Sequence, residues 1–449
     1  MSPVAQLLTF LTLSLSALAA PLEERLSPIP PSQDPFYAVP DNLEHVPPGT
    51  ILQHRKPPAP IAALGLLKSN IKDSHQILYR TTDSHDNATA TVLTVLVPHN
   101  ADYTKVLSYQ VAEDAPTLNC APSYAFQFAS ASGGLLGTII TQAELILIQS
   151  ALEQGWVVIA PDFQGPKASQ LANKLAGQAI LDGIRAAIQS TNITGIDKRP
   201  TISMWGYSGG GITSGWAAEL QPTYAPELEI AGAAIGGLEP TIPTVVGEIN
   251  RTPFAGLIAS GMVGLANEYP VMADILYSKL KPEYRKLFEK TKQQCFVANT
   301  LSFFNKDVVS MFNGPDVTKL PKTLEIMAQN AMGKAAPKMP LFIYKSVFDE
   351  VSPIRETDAL YDFYCSHGTP VQYERDLLSE HGIAAVTPAP RALAFLIDVM
   401  NGRKPAKGCS KKTVVSSLLD PQAIKVLPRF LLDALLDLVG KPIGPAFFG

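Results

Sequence analysis

The 449-residue sequence predicts an α/β fold: a mostly parallel central sheet with helices on both faces and an inserted, mostly helical subdomain. Three observations carry that prediction. Trp156-Val157-Val158-Ile159-Ala160 is an unbroken apolar run of strand length, as expected of a strand buried on both faces of a parallel sheet. Helical stripes alternate with such runs (Ile180, Ile184 and Ile188 form one), and strand–helix alternation is how parallel sheets are built. Over residues 240–335 the alternation gives way to helical patterns, and it resumes at residue 340.

In chain order, the first strands are expected at residues 76–80, 89–97 and 106–111, the second alternating and rich in β-branched residues. A loop of small residues from Ser130 to Gly134 and a helix over 141–153 lead into the strand at 156–160, which ends at Pro161-Asp162. After the helix bearing Ile180 comes a strand at 201–205, introduced by Arg199-Pro200. Ile212, Trp216 and Leu220 share one face of the next helix, and 230–235 is another buried strand. Inside the insertion, helices are expected at 254–265, 270–280, 282–292, 308–312 and 320–332. Pro282 suits a first helical turn, where its missing N–H is not needed. Strands at 340–344 and 370–373 and a helix at 391–400 complete the core.

The first twenty residues read as a signal peptide: an apolar stretch from Leu7 to Leu18 and an A-x-A cleavage site at Ala17-Leu18-Ala19, with no Lys or Arg before them. That stretch is shorter than the ~20 residues a bilayer crossing needs. No stable membrane span is expected, and the chain reads as secreted and extracellular. Glycosylation sequons at Asn87, Asn192 and Asn250 agree with export. Cys120, Cys295, Cys365 and Cys409 match no zinc or redox spacing, so disulfides are expected, with three pairings open. Residues 21–61 hold eleven prolines and read as an extended N-terminal arm. A net charge of −4 leaves no basic surplus for nucleic acid, and neither a phosphate-loop nor a zincin motif occurs.

Gly206-Tyr207-Ser208-Gly209-Gly210 is G-x-S-x-G, the spacing of the nucleophile elbow of serine hydrolases, and it lies between an expected strand and an expected helix. A serine needs a base to take its proton, and the base needs an acid to orient it. After an elbow the chain order is Ser, then Asp or Glu, then His. Of seven histidines only His367 and His381 follow Ser208. His381 falls just past the strand at 370–373, where a loop should carry the base; His367 precedes that strand, at the wrong end of the sheet. Asp349 follows the strand at 340–344, on the edge where sites of parallel sheets gather, with Glu350 as its near competitor. Asp358 and Asp362 read as solvated charges on the next helix. Backbone N–H groups for an oxyanion are expected from Gly209 and from the loop Glu113-Asp114-Ala115-Pro116.

Further stretches join the elbow: Ser108-Tyr109-Gln110-Val111 with Asp114, Cys120-Ala121-Pro122-Ser123, Pro161-Asp162-Phe163-Gln164-Gly165, Asn267-Glu268-Tyr269-Pro270, and Asp349-Glu350 with Glu380-His381. Together they resemble the fungal secretory lipases of the lipase A type, from about Asp34 to the C-terminus. The resemblance implies an α/β-hydrolase core at 62–239 and 336–415, a helical cap at 240–335 and a C-terminal tail at 416–449. It implies a triad of Ser208, Asp349 and His381, oxyanion donors at Asp114 and Gly209, and disulfides Cys120–Cys295 and Cys365–Cys409. It also implies hydrolysis of acylglycerols and other fatty-acid esters, without metal or organic cofactor. The expected partner is a lipid or small ester substrate at a lipid–water interface, and the expected state is a monomer. Two other functions compete: a short-acyl esterase or deacetylase acting on a secondary metabolite, and a secreted binding protein with an inactive elbow. In the tail, Leu427, Phe430, Leu431, Ala434, Leu435 and Leu438 form a helical stripe, read either as core packing or as a flap over the acyl site.

Overall fold

The computed structural model describes residues 28–63, 67–130, 137–405, 407–438 and 440–445. The signal-peptide reading, most of the small-residue loop after Ser130 and residues 446–449 lie outside the described residues. The strands are β1 (Ile51–Arg55), β2 (Ala62–Ala63), β3 (Leu67–Lys68), β4 (Asp73–Thr82), β5 (Ala88–Val97), β6 (Asp102–Gln110), β7 (Trp156–Pro161), β8 (Thr201–Tyr207), β9 (Ile230–Gly236), β10 (Leu341–Ser346), β11 (Val371–Asp376) and β12 (Cys409–Val414). Ten of them make one sheet in the order β1-β4-β5-β7-β6-β8-β9-β10-β11-β12, while β2 and β3 form a separate ribbon. From β7 to β12 all neighbours are parallel. The strands β5, β4 and β1 extend the sheet antiparallel on one side.

The alternation of a strand's side chains sorts the core into two layers. Val157 and Ile159 point into a cluster shared with Ile180 and Ile184 of the helix Asn173–Gln189 and Trp216 of the helix Gly209–Tyr224. Trp156, Val158 and Ala160 face the opposite way, into a cluster with Leu147, Leu396 and Phe430. Apolar residues at every position of β7 are thus what two covered faces require. Burying one such side chain is worth about 1.5–3 kcal/mol, so the two layers dominate the stability of the sheet.

Elements between β9 and β10 are helical, among them Ile242–Ile249, Gly256–Glu268, Pro270–Lys279, Phe296–Ser302 and Pro321–Gln329. They share an apolar cluster of their own that includes Val245, Ile258, Phe288, Phe303 and Phe312. Cys120 is bonded to Cys295, with Cα atoms 5.6 Å apart, which ties the loop beyond β6 to this helical stretch. Cys365 is bonded to Cys409, with Cα atoms 6.0 Å apart, which ties the helix Ile354–Ser366 to β12.

Several details differ from the expectation. Residues 51–55 of the proline-rich stretch form β1, an edge strand paired with β4. The helix expected over 141–153 is two pieces, Ile139–Ala143 and Leu145–Leu152. Helices Ile242–Ile249 and Phe296–Ser302 and strand β12 add to the expected set. Asp358 is half-buried rather than solvated, because Arg375 Nη1 donates to it at 3.3 Å from the neighbouring β11.

β7 lies on one side of β6 and β8 on the other, so the chain reverses its progress across the sheet at β6. A crevice forms outside the carboxyl ends of the strands at such a switch. Asp114 follows β6 there, and Ser208 follows β8.

Candidate active site

β8 ends at Tyr207 and the next helix begins at Gly209, so Ser208 alone makes the turn, with φ 51° and ψ −124°. That backbone is strained for any residue carrying a Cβ. Two glycines give the turn its room. A Cβ on Gly206 would stand 2.2 Å from the Gly210 carbonyl oxygen, and one on Gly210 would stand 1.9 Å from that of Gln110.

The serine projects toward two other strand ends. Its Oγ is 2.8 Å from His381 Nε2, and His381 Nδ1 is 2.7 Å from Asp349 Oδ2. Asp349 sits past β10, where its Oδ1 accepts from the backbone N–H groups of Val351 (2.9 Å) and Ser352 (2.8 Å). His381 sits in the loop past β11. Its backbone N–H donates to Glu350 Oε2 at 2.8 Å, and the Tyr207 hydroxyl donates to its carbonyl. Glu350 therefore braces the histidine's backbone while Asp349 holds its ring. His367 lies exposed at the end of the helix before β11, with Nδ1 2.8 Å from the Phe363 carbonyl oxygen.

Electrostatics follow from burial and pairing. Burial alone would raise the pKa of Asp349; the hydrogen bond and charge of His381, then the charge of Lys345, outweigh it and hold the carboxyl far below its usual range. Burial lowers the pKa of His381, but the hydrogen bond and charge of Asp349 raise it more. Asp114 is pushed up to about 7 by burial and by the nearby Glu239. Its backbone φ is 43°, and a Cβ on Gly209 would stand 2.3 Å from its Oδ1, so Asp114 and Gly209 are immediate neighbours at the elbow.

An apolar cavity of about 400 Å³ opens on this group, lined by Tyr207, Ser208, His381, Phe254, Phe296 and Phe430. A smaller one of about 50 Å³ runs among the inserted helices, lined by Asp114, Glu239, Ile212, Val245, Ile258 and Met262. Among the described residues no group of three or more His, Cys, Asp or Glu side chains is arranged to hold a metal ion.

Comparison with known proteins adds to this geometry. The chain is 48% identical to Lipase A of Arthroderma benhamiae over 93% of its own length and 90% of that protein's. It is 38% identical to Lipase 5 of Candida albicans, over 93% and 91% of the two chains. The crystal structure of Candida antarctica lipase A in its closed state superposes with a TM-score of 0.82 at 29% identity, covering 93% of this chain and 99% of that one. The model of the family described as secretory lipase matches residues 130–408. The chain belongs to the secretory lipase family.

As a secretory lipase it is a carboxylic ester hydrolase with an α/β-hydrolase fold. Two groups at this lipase's site are missing from the sequence reading. Lys345, buried in β10, donates to Asp349 Oδ2 at 2.9 Å and to the Leu238 carbonyl at 2.7 Å. Glu239 brings Oε1 to 3.2 Å from Ser208 Oγ. A signal for each exists: a lone lysine closing the apolar run Leu341-Phe342-Ile343-Tyr344, and a carboxylate just past the carboxyl end of a buried strand. Of the sequons, Asn87 and Asn192 are exposed, whereas Asn250 is half-buried and its amide nitrogen donates to Asp307 at 2.8 Å.

Proposed function

We propose that this chain is a secreted lipase that cleaves fatty-acid esters through an acyl-enzyme on Ser208. His381 takes the serine proton as Oγ attacks the ester carbonyl. Asp349 keeps the imidazole in the tautomer with its proton on Nδ1 and stabilises the imidazolium that forms. The amides of Gly209 and Asp114 donate to the oxyanion of the tetrahedral intermediate. His381 returns the proton to the leaving alcohol, and water then repeats the sequence to free the fatty acid.

The observation that carries this reading is the hydrogen-bond chain Ser208–His381–Asp349, 2.8 and 2.7 Å, opening on an apolar cavity of about 400 Å³. The names of the relatives support a fatty-acyl ester as substrate. In the same reading residues 1–20 direct export, 240–335 form a cap that houses the acyl chain, and the tail closes over the site as a flap.

The test is turnover of p-nitrophenyl esters from acetate to palmitate, with Ser208→Ala beside the wild type. Long-chain turnover that falls on the order of 10⁶-fold in the variant is the expected result. Turnover of acetate alone would favour the short-acyl esterase, and turnover that survives the substitution would remove Ser208 from the mechanism.

A further inference from the structure

The nucleophile has a neighbour that the triad does not use. Glu239 follows β9, and its Oε1 is 3.2 Å from Ser208 Oγ and 3.7 Å from His381 Nε2. Its side chain is only 12% exposed. It borders the small apolar cavity beside Asp114, Ile212, Val245 and Met262.

With His381 neutral, as a base must be, the proton count sets the state of Glu239. In the neutral imidazole that acts as base, Nδ1 donates to Asp349, which leaves Nε2 as an acceptor. Ser208 Oγ has one proton, and of its two partners Nε2 at 2.8 Å is nearer than Glu239 Oε1 at 3.2 Å. An ionised Glu239 would then be a second acceptor facing an oxygen with no proton left to give. A protonated Glu239 satisfies both contacts, because its hydroxyl donates to Oγ while Oγ donates to Nε2. The surroundings agree. Burial is the largest influence on Glu239 and raises its pKa, and the charge of Asp349 adds to that. His381, Lys345 and the Ser208 hydroxyl oppose the rise, and Asp114 lies close enough for Glu239 to raise its pKa in turn. Lys345 gives its hydrogen bonds to Asp349 and the Leu238 carbonyl.

We propose that Glu239 is a further catalytic residue: a neutral carboxylic acid that donates a hydrogen bond to Ser208 Oγ, turns the serine proton toward His381 and stays uncharged beside the oxyanion site. The proposal rests on Ser208 being the nucleophile. Glu239 keeps its proton throughout. In deacylation the bond from the acyl carbon to Oγ breaks and His381 returns a proton to Oγ. As negative charge builds on that oxygen the hydrogen bond from Glu239 strengthens, so it favours the transition state over the ground state.

The test compares Glu239→Gln and Glu239→Ala with the wild type on a p-nitrophenyl ester across a range of pH, with thermal melting of each protein. Glutamine keeps the size and a donor but cannot ionise. The expected E239Q enzyme has kcat/KM within about threefold of wild type where Glu239 is protonated, and it holds that value as pH rises and the wild type falls through ionisation of Glu239. E239A is expected to lose about tenfold or more, the scale of one hydrogen bond to a charged group. Equal losses in E239Q and E239A would overturn the proposal by showing that the charge matters and not the donor. So would an E239A enzyme of wild-type activity, or pH profiles of identical shape in E239Q and wild type. If E239A does not fold, E239Q and its pH profile still decide. Ser208→Ala, run in parallel, reports on the nucleophile itself: activity that survives it defeats that assignment independently of Glu239.

Discussion

Lys345 and Asp349 are four residues apart, and neither side chain has any exposed surface. Removing one member of such a pair leaves the other charge buried without compensation, at a cost of about 3–5 kcal/mol. Lys345→Met is therefore expected to lower the melting temperature by many degrees. It also carries a sign in the pH profile. Asp349 raises the pKa of His381 and Lys345 lowers it. In the proposed mechanism the imidazole must be neutral to act as base, so activity is expected to rise with pH through that pKa. Without the lysine the pKa climbs further and the acid limb of kcat/KM moves to higher pH. Asp349→Asn moves the limb to lower pH, and it lowers kcat by about 10⁴-fold because the wrong tautomer is held. Limbs that move in the same direction in the two variants would show that this pair does not set the base's pKa.

At the scale of elements, the Cys120–Cys295 bond spans 175 residues and joins the switch-point loop to the helix Phe296–Ser302, whose Phe296 lines the cavity. The double variant Cys120→Ser/Cys295→Ser is expected to lose roughly 2–5 kcal/mol of stability. Amide exchange should quicken most in the helices between β9 and β10 and least in β6 and β8. A uniform increase would mean that the bond does not hold the helical stretch in particular. Which elements are legible in the sequence follows from how each is stabilised. β7 and β9 announce themselves because both faces are buried, so every position is apolar or small. β1 does not, because Ile51–Arg55 stands among prolines and owes its form to backbone pairing with β4. Nor does β12, which is exposed along nearly its whole length and carries no apolar pattern. The site divides the same way. Ser208, Asp349 and His381 are readable as candidates because each follows a recognisable strand. Glu239 matters through Ser208 and His381, which follow other strands, and Lys345 through Asp349 past its own strand and Leu238 past another, so the signal in each strand marks a residue without showing its role.

At the scale of the whole molecule, residues 440–445 are clasped to earlier parts of the chain. Lys441 Nζ lies 2.9 Å from Glu153, 3.0 Å from Asp433 and 3.2 Å from Asp437, one cation facing three carboxylates. Backbone bonds add to the clasp: His99 N–H donates to the Ile443 carbonyl at 2.8 Å, and Ile443 N–H to that of Asn70 at 2.9 Å. The clasp follows the helix Pro421–Leu438, whose Phe430 lines the cavity beside Ser208, so it anchors the end of an element that borders the site. Burial, then the charge of Glu153, push Asp437 up to about 7 in the docked state, from an ordinary 3.8. An acid raised in this way favours the docked state at low pH, and the advantage is lost as pH rises from about 4 to about 7. Limited proteolysis of residues 421–445 is therefore expected to be faster at pH 8 than at pH 5, and Asp437→Asn should flatten that difference. A wild-type cleavage rate independent of pH would show that Asp437 does not govern docking. The flap reading makes a separate demand. Truncation at Gly440 removes Lys441 and Ile443 together, so turnover of long-chain esters should change more than turnover of acetate. Unchanged long-chain activity would leave the tail as packing and place the boundary of the acyl site within the helices between β9 and β10.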